Sequence, residues 1–386
     1  MKKTKNFFAD HKKLICPLSR SKDFEHLFSI KKFPIYMGTV KNKKNYEFKK
    51  MNFFINKISG SVQIFPRVNL KKLYFKSHGS GKVGKVWSLH HKTFYNFLNI
   101  KSQTNIIEIG GGHNSLGSTE LLKNKKILLT SFDPNGQTHK SLNYKLIKEF
   151  FLKSSLKKYE LNKKFDLAIH SHLFEHIYDP KNFLNAINKS LKINGLHIFA
   201  VPNMEPMIKN GIASAMNFEH PFFLNEKLIN VLLKKTGFKI LIKKYYGKCH
   251  SIFYKTKKIK NIKEEILQNS YKKNKKTFLN LIEGWRDDVK NINLKSKNEN
   301  PTFLFGAHIF SQMLIFNGLE KSSITSVLDN DPKKQGEFLY GTNYKVFSPK
   351  ILKKYKNPTV ILRAGEYNRE IKKNILTKIN AATKFI

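Results

Sequence analysis

The sequence predicts an α/β protein: a central, mainly parallel sheet, preceded by a small N-terminal segment and followed by a second, smaller α/β domain. Three observations predict it. The run Asn105-Ile-Ile-Glu-Ile109 stops on Gly110, Gly111 and Gly112, as a strand does when the backbone must turn tightly and approach a ligand without Cβ obstruction. A second apolar run, residues 127–132, ends at Asp133, 25 residues after Glu108, where a neighbouring parallel strand would present a carboxylate to ribose hydroxyls. Residues 104–255 alternate apolar runs with helical patterns, the signature of β-α-β units.

Taken in order, residues 1–90 have no clear helical period until residues 86–98, which read as a helix leading into the first strand of the sheet. Residues 165–170 form a third apolar run, entering Ser-His-Leu-Phe-Glu175-His176, and residues 191–203 form a strand turned by Gly195. Residues 259–289 are charged and amphipathic, one or two helices, and the polar residues 291–300 read as a linker. The pattern then restarts: a strand and glycine turn at 302–307, a strand ending in Asp329, and a third run at 358–363. The expected units are therefore 1–90, 91–258, a connector at 259–300, and 301–386. The Gly306-to-Asp329 spacing mimics a nucleotide site, but one glycine and one acid are read as a structural or substrate-flanking feature.

The formal charge of +45 resembles a nucleic-acid signature, since basic surfaces bind phosphate by releasing counterions. Its distribution argues otherwise. Only five of the 72 basic residues are Arg, at 20, 67, 286, 363 and 369, and Lys is spread over every segment among Asn, Ile and Phe. Readers of nucleic acid concentrate Arg for bidentate contacts. The expected partner is an anionic small molecule such as a nucleotide-linked sugar rather than nucleic acid; oligomeric state is not legible. Cys16 and Cys249 cannot make a disulfide framework. The basic start lacks the apolar core of a signal peptide, and no window is long and apolar enough to span a membrane, so the expected location is cytoplasmic.

Which nucleoside the sheet would hold turns on the glycine loop. A dinucleotide site wants G-x-G-x-x-G, and Ser115 breaks that fingerprint. Glu108, Gly110, Gly112 and Asp133 instead fit an S-adenosylmethionine site: an acid two before the first glycine, G-x-G, then an acidic strand end. With the runs at 165–180 and 191–203, this stretch closely resembles class I methyltransferases, whose Rossmann-like sheet and S-adenosylmethionine cofactor it therefore implies. Over nearly its whole length the chain resembles the sugar C-methyltransferase family, which joins an N-terminal zinc-binding segment, a methyltransferase and a C-terminal Rossmann-like domain. That resemblance rests on Phe33-Pro-Ile-Tyr-Met-Gly38, Tyr74-Phe-Lys-Ser-His-Gly-Ser80, the central strands, Phe218-Glu-His-Pro-Phe-Phe-Leu224, Leu328-Asp-Asn-Asp-Pro-Lys-Lys-Gln-Gly336 and Phe347-Ser-Pro349. The family's zinc does not carry over. Its two C-x-x-C pairs are reduced to Cys16-Pro-Leu-Ser19 and a cysteine-free Ile55-Asn-Lys-Ile-Ser-Gly60, whereas structural zinc needs four ligands. No metal is expected, with apolar packing in its place.

The expected cofactor-binding residues are Glu108, Gly110 and Gly112 for the methionine and ribose part, Asp133 for the ribose hydroxyls, Phe150 (with Phe151) flanking adenine, and His170 at the end of its strand. Asp133, followed by Pro134, also reads as a helix N-cap. The resemblance implies a Glu-His pair in the acceptor site, here Glu219 and His220, and an active-site tyrosine near Tyr74. Making a carbon nucleophile beside a keto group requires removing an α-proton. An imidazole with a free pKa of about 6.5 suits that, with Glu219 orienting it. Glu175 and His176 are expected to pack a helix onto the sheet, and His90 and His91 are assigned no role. The implied function is methyl transfer to a sugar carbon. O- or N-methylation of another small molecule is the alternative chemistry, and RNA-associated binding a third reading.

Overall fold

The computed structural model describes residues 14–74, 84–100, 104–111, 121–141, 143–260, 268–296 and 300–386. Among these residues the N-terminal segment, without a helical period in its sequence, is an antiparallel sheet. Strands β1 (Phe24–Pro34), β3 (Phe48–Asn56) and β4 (Val62–Phe65) lie in the order β1-β3-β4, while the short β2 (Thr39–Val40) leaves that sheet. Sequence reading missed these strands because Lys and Asn interrupt their alternation.

The central sheet contains β5 (Asn105–Ile109), β6 (Leu128–Phe132), β7 (Tyr144–Ile147), β8 (Phe165–Ser171), β9 (Leu191–Pro202), β10 (Phe238–Tyr246) and β11 (Ser251–Lys258), in the order β10-β11-β9-β8-β5-β6-β7. The pairs from β7 through β9 are parallel, and β11 runs antiparallel between β9 and β10. Parallel strands covered on both faces become continuous apolar runs, which is why the runs ending at 109, 132 and 170 were legible. On one face Ile106, Leu129, Leu167, Ile169 and Ile198 pack against Phe94 and Leu98 of the helix Lys85–Leu98. On the other, Ile107, Phe132, Ala168 and Phe199 meet Phe183, Leu184 and Ile187 of the helix Pro180–Ser190. That second helix starts where it does because the Asp179 carboxylate accepts from the Asn182 N–H at 3.0 Å and Pro180 fixes the first turn. The unit boundary expected between residues 90 and 91 falls inside the helix Lys85–Leu98, which belongs with the sheet it covers.

Among the described residues of the amphipathic stretch after β11 lies the helix Tyr271–Lys295, which runs into the expected linker. Its buried residues Phe278, Leu281, Ile282, Trp285, Val289 and Ile292 recur at three- and four-residue spacing, forming one apolar stripe. Phe278, Leu281, Ile282 and Trp285 join the core shared by the N-terminal and central sheets, and Val289 and Ile292 enter the C-terminal core. The C-terminal unit is a parallel sheet of β12 (Thr302–Phe305), β13 (Ser326–Leu328), β15 (Val346–Phe347), β16 (Thr359–Leu362) and β17 (Lys384–Phe385), ordered β15-β13-β12-β16-β17. Its strand β14 (Phe338–Leu339) pairs with β2, so the two ends of the chain are sewn together. Fully buried Gln312 strengthens this seam, its amide donating to the carbonyls of Tyr36 at 3.0 Å and Tyr340 at 2.9 Å. No helix among the described residues is long and apolar enough to cross a membrane.

Candidate active site

Strand order reverses between β5 and β8: β6 lies on one side of β5 and β8 on the other. In open α/β sheets a ligand crevice forms at the carboxyl ends of such a pair. Glu108 sits there, buried, in register with Ser131 on β6 and Ile169 on β8. Gly110 turns the chain at φ +72°, and its N–H donates to the Phe132 carbonyl at 2.8 Å. At Gly111 an added Cβ would meet Glu108 Oε2 at 2.4 Å and Ser131 Oγ at 3.0 Å, so any side chain there would displace the Glu108 carboxylate. The turn thus leaves bare backbone beside a buried carboxylate at the carboxyl end of β5, where the sequence expects the cofactor. Gly112 lies outside the described residues.

Asp133 ends β6 in the same crevice. No helix follows, so the N-cap reading fails. Its Oδ1 accepts instead from the Asn135 N–H at 2.7 Å within a turn. Phe150 is half-buried beyond β7, while Phe151 is core, packed edge-on against Phe132 with ring centroids 5.3 Å apart. His170, expected at the cofactor, lies instead in the core. It is 2 % exposed, its Nε2 lies 3.0 Å from His197 Nε2, and its ring stacks on Phe199 and abuts Phe183. Burial drives its pKa down to about 3, so it is a neutral core residue that the helix Pro180–Ser190 seals from the crevice. Its place at a strand's end misled because the strand alternates faces, and its side chain points under the helix.

Tyr74, Glu219 and His220 do converge. The segment leading to Tyr74 is tied to the loop after β8 through Arg67, which donates to the Tyr178 carbonyl at 2.8 Å and lies over the Phe222 ring. Glu219 and His220 are held by Asn217, whose Oδ1 accepts both their N–H groups, at 2.8 and 3.2 Å. His220 Nδ1 is 2.8 Å from the Ser214 carbonyl, which can only accept. The proton therefore sits on Nδ1, leaving Nε2 basic. Burial lowers the His220 pKa, favouring this neutral form, and the nearby charge of Glu175 opposes that shift. Burial raises the pKa of Tyr36, Tyr74 and Tyr178, and the charge of Glu219, itself buried, adds to each rise. The Tyr74 hydroxyl, with its pKa well above the ordinary value, stays protonated.

Two residues read as packing belong to this cluster. The Tyr74 hydroxyl lies 2.8 Å from His176 Nδ1, and the His176 and His220 rings stand edge to face, centroids 4.6 Å apart. Glu175 shares the short turn Phe174–His176, is 1 % exposed, and has its pKa pushed up by burial to about 7. A ligand-type atom from each of Glu175, His176 and His220 falls within 4.8 Å of the others. The only sequence sign was the position of these residues at the carboxyl end of β8.

The resemblance's N-terminal zinc does not fit this chain. The Cys16 turn and the Asn56–Gly60 turn do face each other, but through Cys16 Sγ against Ser59 Oγ at 3.1 Å and Ser19 Oγ donating to Asn56 Oδ1 at 3.2 Å. In the C-terminal unit, the Asp329 carboxylate accepts from the Ala307 N–H at 2.8 Å and from Lys334 Nζ at 3.2 Å, so its nucleotide-like spacing serves internal bonds.

Residues 87–242 match the family described as a methyltransferase domain, and residues 254–386 the one described as the C-methyltransferase C-terminal domain. The crevice, its glycine cradle and these matches define a class I S-adenosylmethionine-dependent methyltransferase. No curated protein matches the chain. Among solved structures it is similar to a putative S-adenosylmethionine-dependent methyltransferase from Listeria monocytogenes, at 9% identity and TM-score 0.37, over 45% of this chain and 100% of that one. It is also similar to the CurJ carbon methyltransferase, at 12% identity and TM-score 0.38, over 46% and 56%. A third is an O-methyltransferase family protein from Burkholderia thailandensis, at 9% identity and TM-score 0.36, over 44% and 55%.

Proposed function

We propose that the protein methylates a carbon of a sugar, nucleotide-linked, in the making of a surface polysaccharide or a glycosylated product. The observation that carries this reading is a neutral His220 with Nδ1 committed to a carbonyl and Nε2 left basic, beside Tyr74, His176 and Glu175. Bound S-adenosylmethionine supplies a methyl group on a sulfonium, which departs as a neutral thioether. His220 Nε2 would take the α-proton beside a keto group, leaving an enolate whose carbon accepts the methyl. Glu175 would stabilise the imidazolium so formed, and Tyr74 would hold His176 against it. The charge of Glu219 would help keep the surrounding tyrosines protonated. The match of residues 254–386 to a C-methyltransferase domain supports carbon as the acceptor atom.

The test is solvent deuterium exchange at the α-carbon of nucleotide-linked keto-sugars, without donor, by the wild type and by His220→Ala. Exchange that depends on His220 supports the reading. Methyl transfer to a hydroxyl or amine with no exchange would replace it with O- or N-methylation.

A further inference from the structure

His90, unassigned from sequence, is a fully enclosed histidine outside the acceptor cluster. It projects from the helix Lys85–Leu98 at 0 % exposure, and neither ring nitrogen has a hydrogen-bond partner. A buried polar group left that way in a native fold calls for an explanation, an ion among them. Two more histidines surround it. His172 follows β8 in a left-handed conformation, φ +49°, and His250 precedes β11. Ring centroids are 5.1 Å apart for His90–His172, 5.0 Å for His90–His250 and 5.6 Å for His172–His250. One ring nitrogen from each lies within 4.8 Å of the other two.

Metal-binding imidazoles give one nitrogen to the ion and the other to an outer polar partner, commonly a carboxylate; His172 and His250 have such outer contacts, and His90 has none. His250 Nδ1 is 2.7 Å from Ser251 Oγ, while its Nε2 is buried without a partner. His172 Nδ1 lies 3.3 Å from the buried Glu175 carboxylate, and its Nε2 is 2.8 Å from Ser251 Oγ, a contact an ion would displace. Burial holds all three imidazoles far below their ordinary pKa, so they are unprotonated at neutral pH.

We propose that His90, His172 and His250 bind one divalent metal ion of the zinc class. Three neutral nitrogens, with the carboxylate held one shell out, select Zn²⁺ or Co²⁺ over the oxygen-seeking Mg²⁺ and Ca²⁺. Three protein ligands leave one tetrahedral position open. The ion would pin the helix Lys85–Leu98, the carboxyl end of β8 and the start of β11 together, and would fix Glu175 through His172. The expectation of no metal rested on the lost N-terminal cysteines, and this site uses none of them.

The test is metal binding by the purified full chain, stripped with chelator and titrated with Zn²⁺ and with Co²⁺, whose visible absorption reports a four-coordinate site. Wild type should take up one ion per chain. His90→Phe suits its aromatic surroundings (Phe94, Phe253, Tyr246) and should weaken uptake more than the ~10- to 100-fold expected for losing a second-shell partner. His250→Gln should do the same, while His220→Ala should bind as wild type. Absence of uptake by wild type overturns the proposal. So does full retention in a folded His90→Phe protein, or loss in His220→Ala, which would move the ion to the Glu175–His176–His220 group.

Discussion

The hydroxyl of Tyr74 and Nδ1 of His176, 102 residues apart in the chain, lie 2.8 Å from each other at the mouth of the central crevice. The N-terminal segment is thereby joined to the turn after β8, and His176 stands edge-on against His220.

His220→Ala should lower methyl transfer by about 10²- to 10⁴-fold, the usual contribution of a positioned general base. S-adenosylmethionine affinity by calorimetry should be unchanged, because His220 stands on the acceptor side. Tyr74→Phe should also slow transfer, by less, since the ring packing survives and only the hydroxyl bond to His176 is removed.

Gly111→Ala should weaken cofactor binding. Its Cβ would be placed 2.4 Å from Glu108 Oε2, so the bend must open or the carboxylate must move. Calorimetry showing wild-type affinity, with thermal stability retained, would refute the placement of the cradle.

Stability should fall with acid from about pH 6.5. His170 and His197 face each other in the core, and burial lowers both, His170 to about 3. Below the unfolded value of about 6.5 the unfolded chain takes up protons that the folded chain refuses, so stability present above that pH is lost as pH drops. Glu175, raised to about 7, acts oppositely between its unfolded value of about 4.3 and 7, and is outnumbered. Chemical denaturation at pH 5 and 7.5 measures this. A His170→Phe, His197→Phe double variant should narrow the difference between the two.

Gln312→Leu should destabilise the chain by about 1–3 kcal/mol, the cost of stranding buried partners, here the carbonyls of Tyr36 and Tyr340. The loss should appear in thermal unfolding, with cofactor affinity intact.

Features carried by short-range pattern were legible without coordinates. Strand runs buried on both faces, the glycine bend after β5 and the acid ending β6 follow from periodicity and from what glycine permits, and each lies within one supersecondary unit. The N-terminal strands were not legible, because lysine and asparagine blur their alternation. The helix Tyr271–Lys295 reached into the expected linker because Ile292 continues its stripe among polar neighbours.

The sequence by itself determined the class I sheet and the strand ends that carry Glu108 and Asp133. Only the tertiary structure decided which of the 14 histidines meet. His170 turned under a helix, His176 toward Tyr74, and His90 toward His172 and His250. Side-chain direction depends on which face packs against which element, and that is set by contacts between residues far apart in the chain.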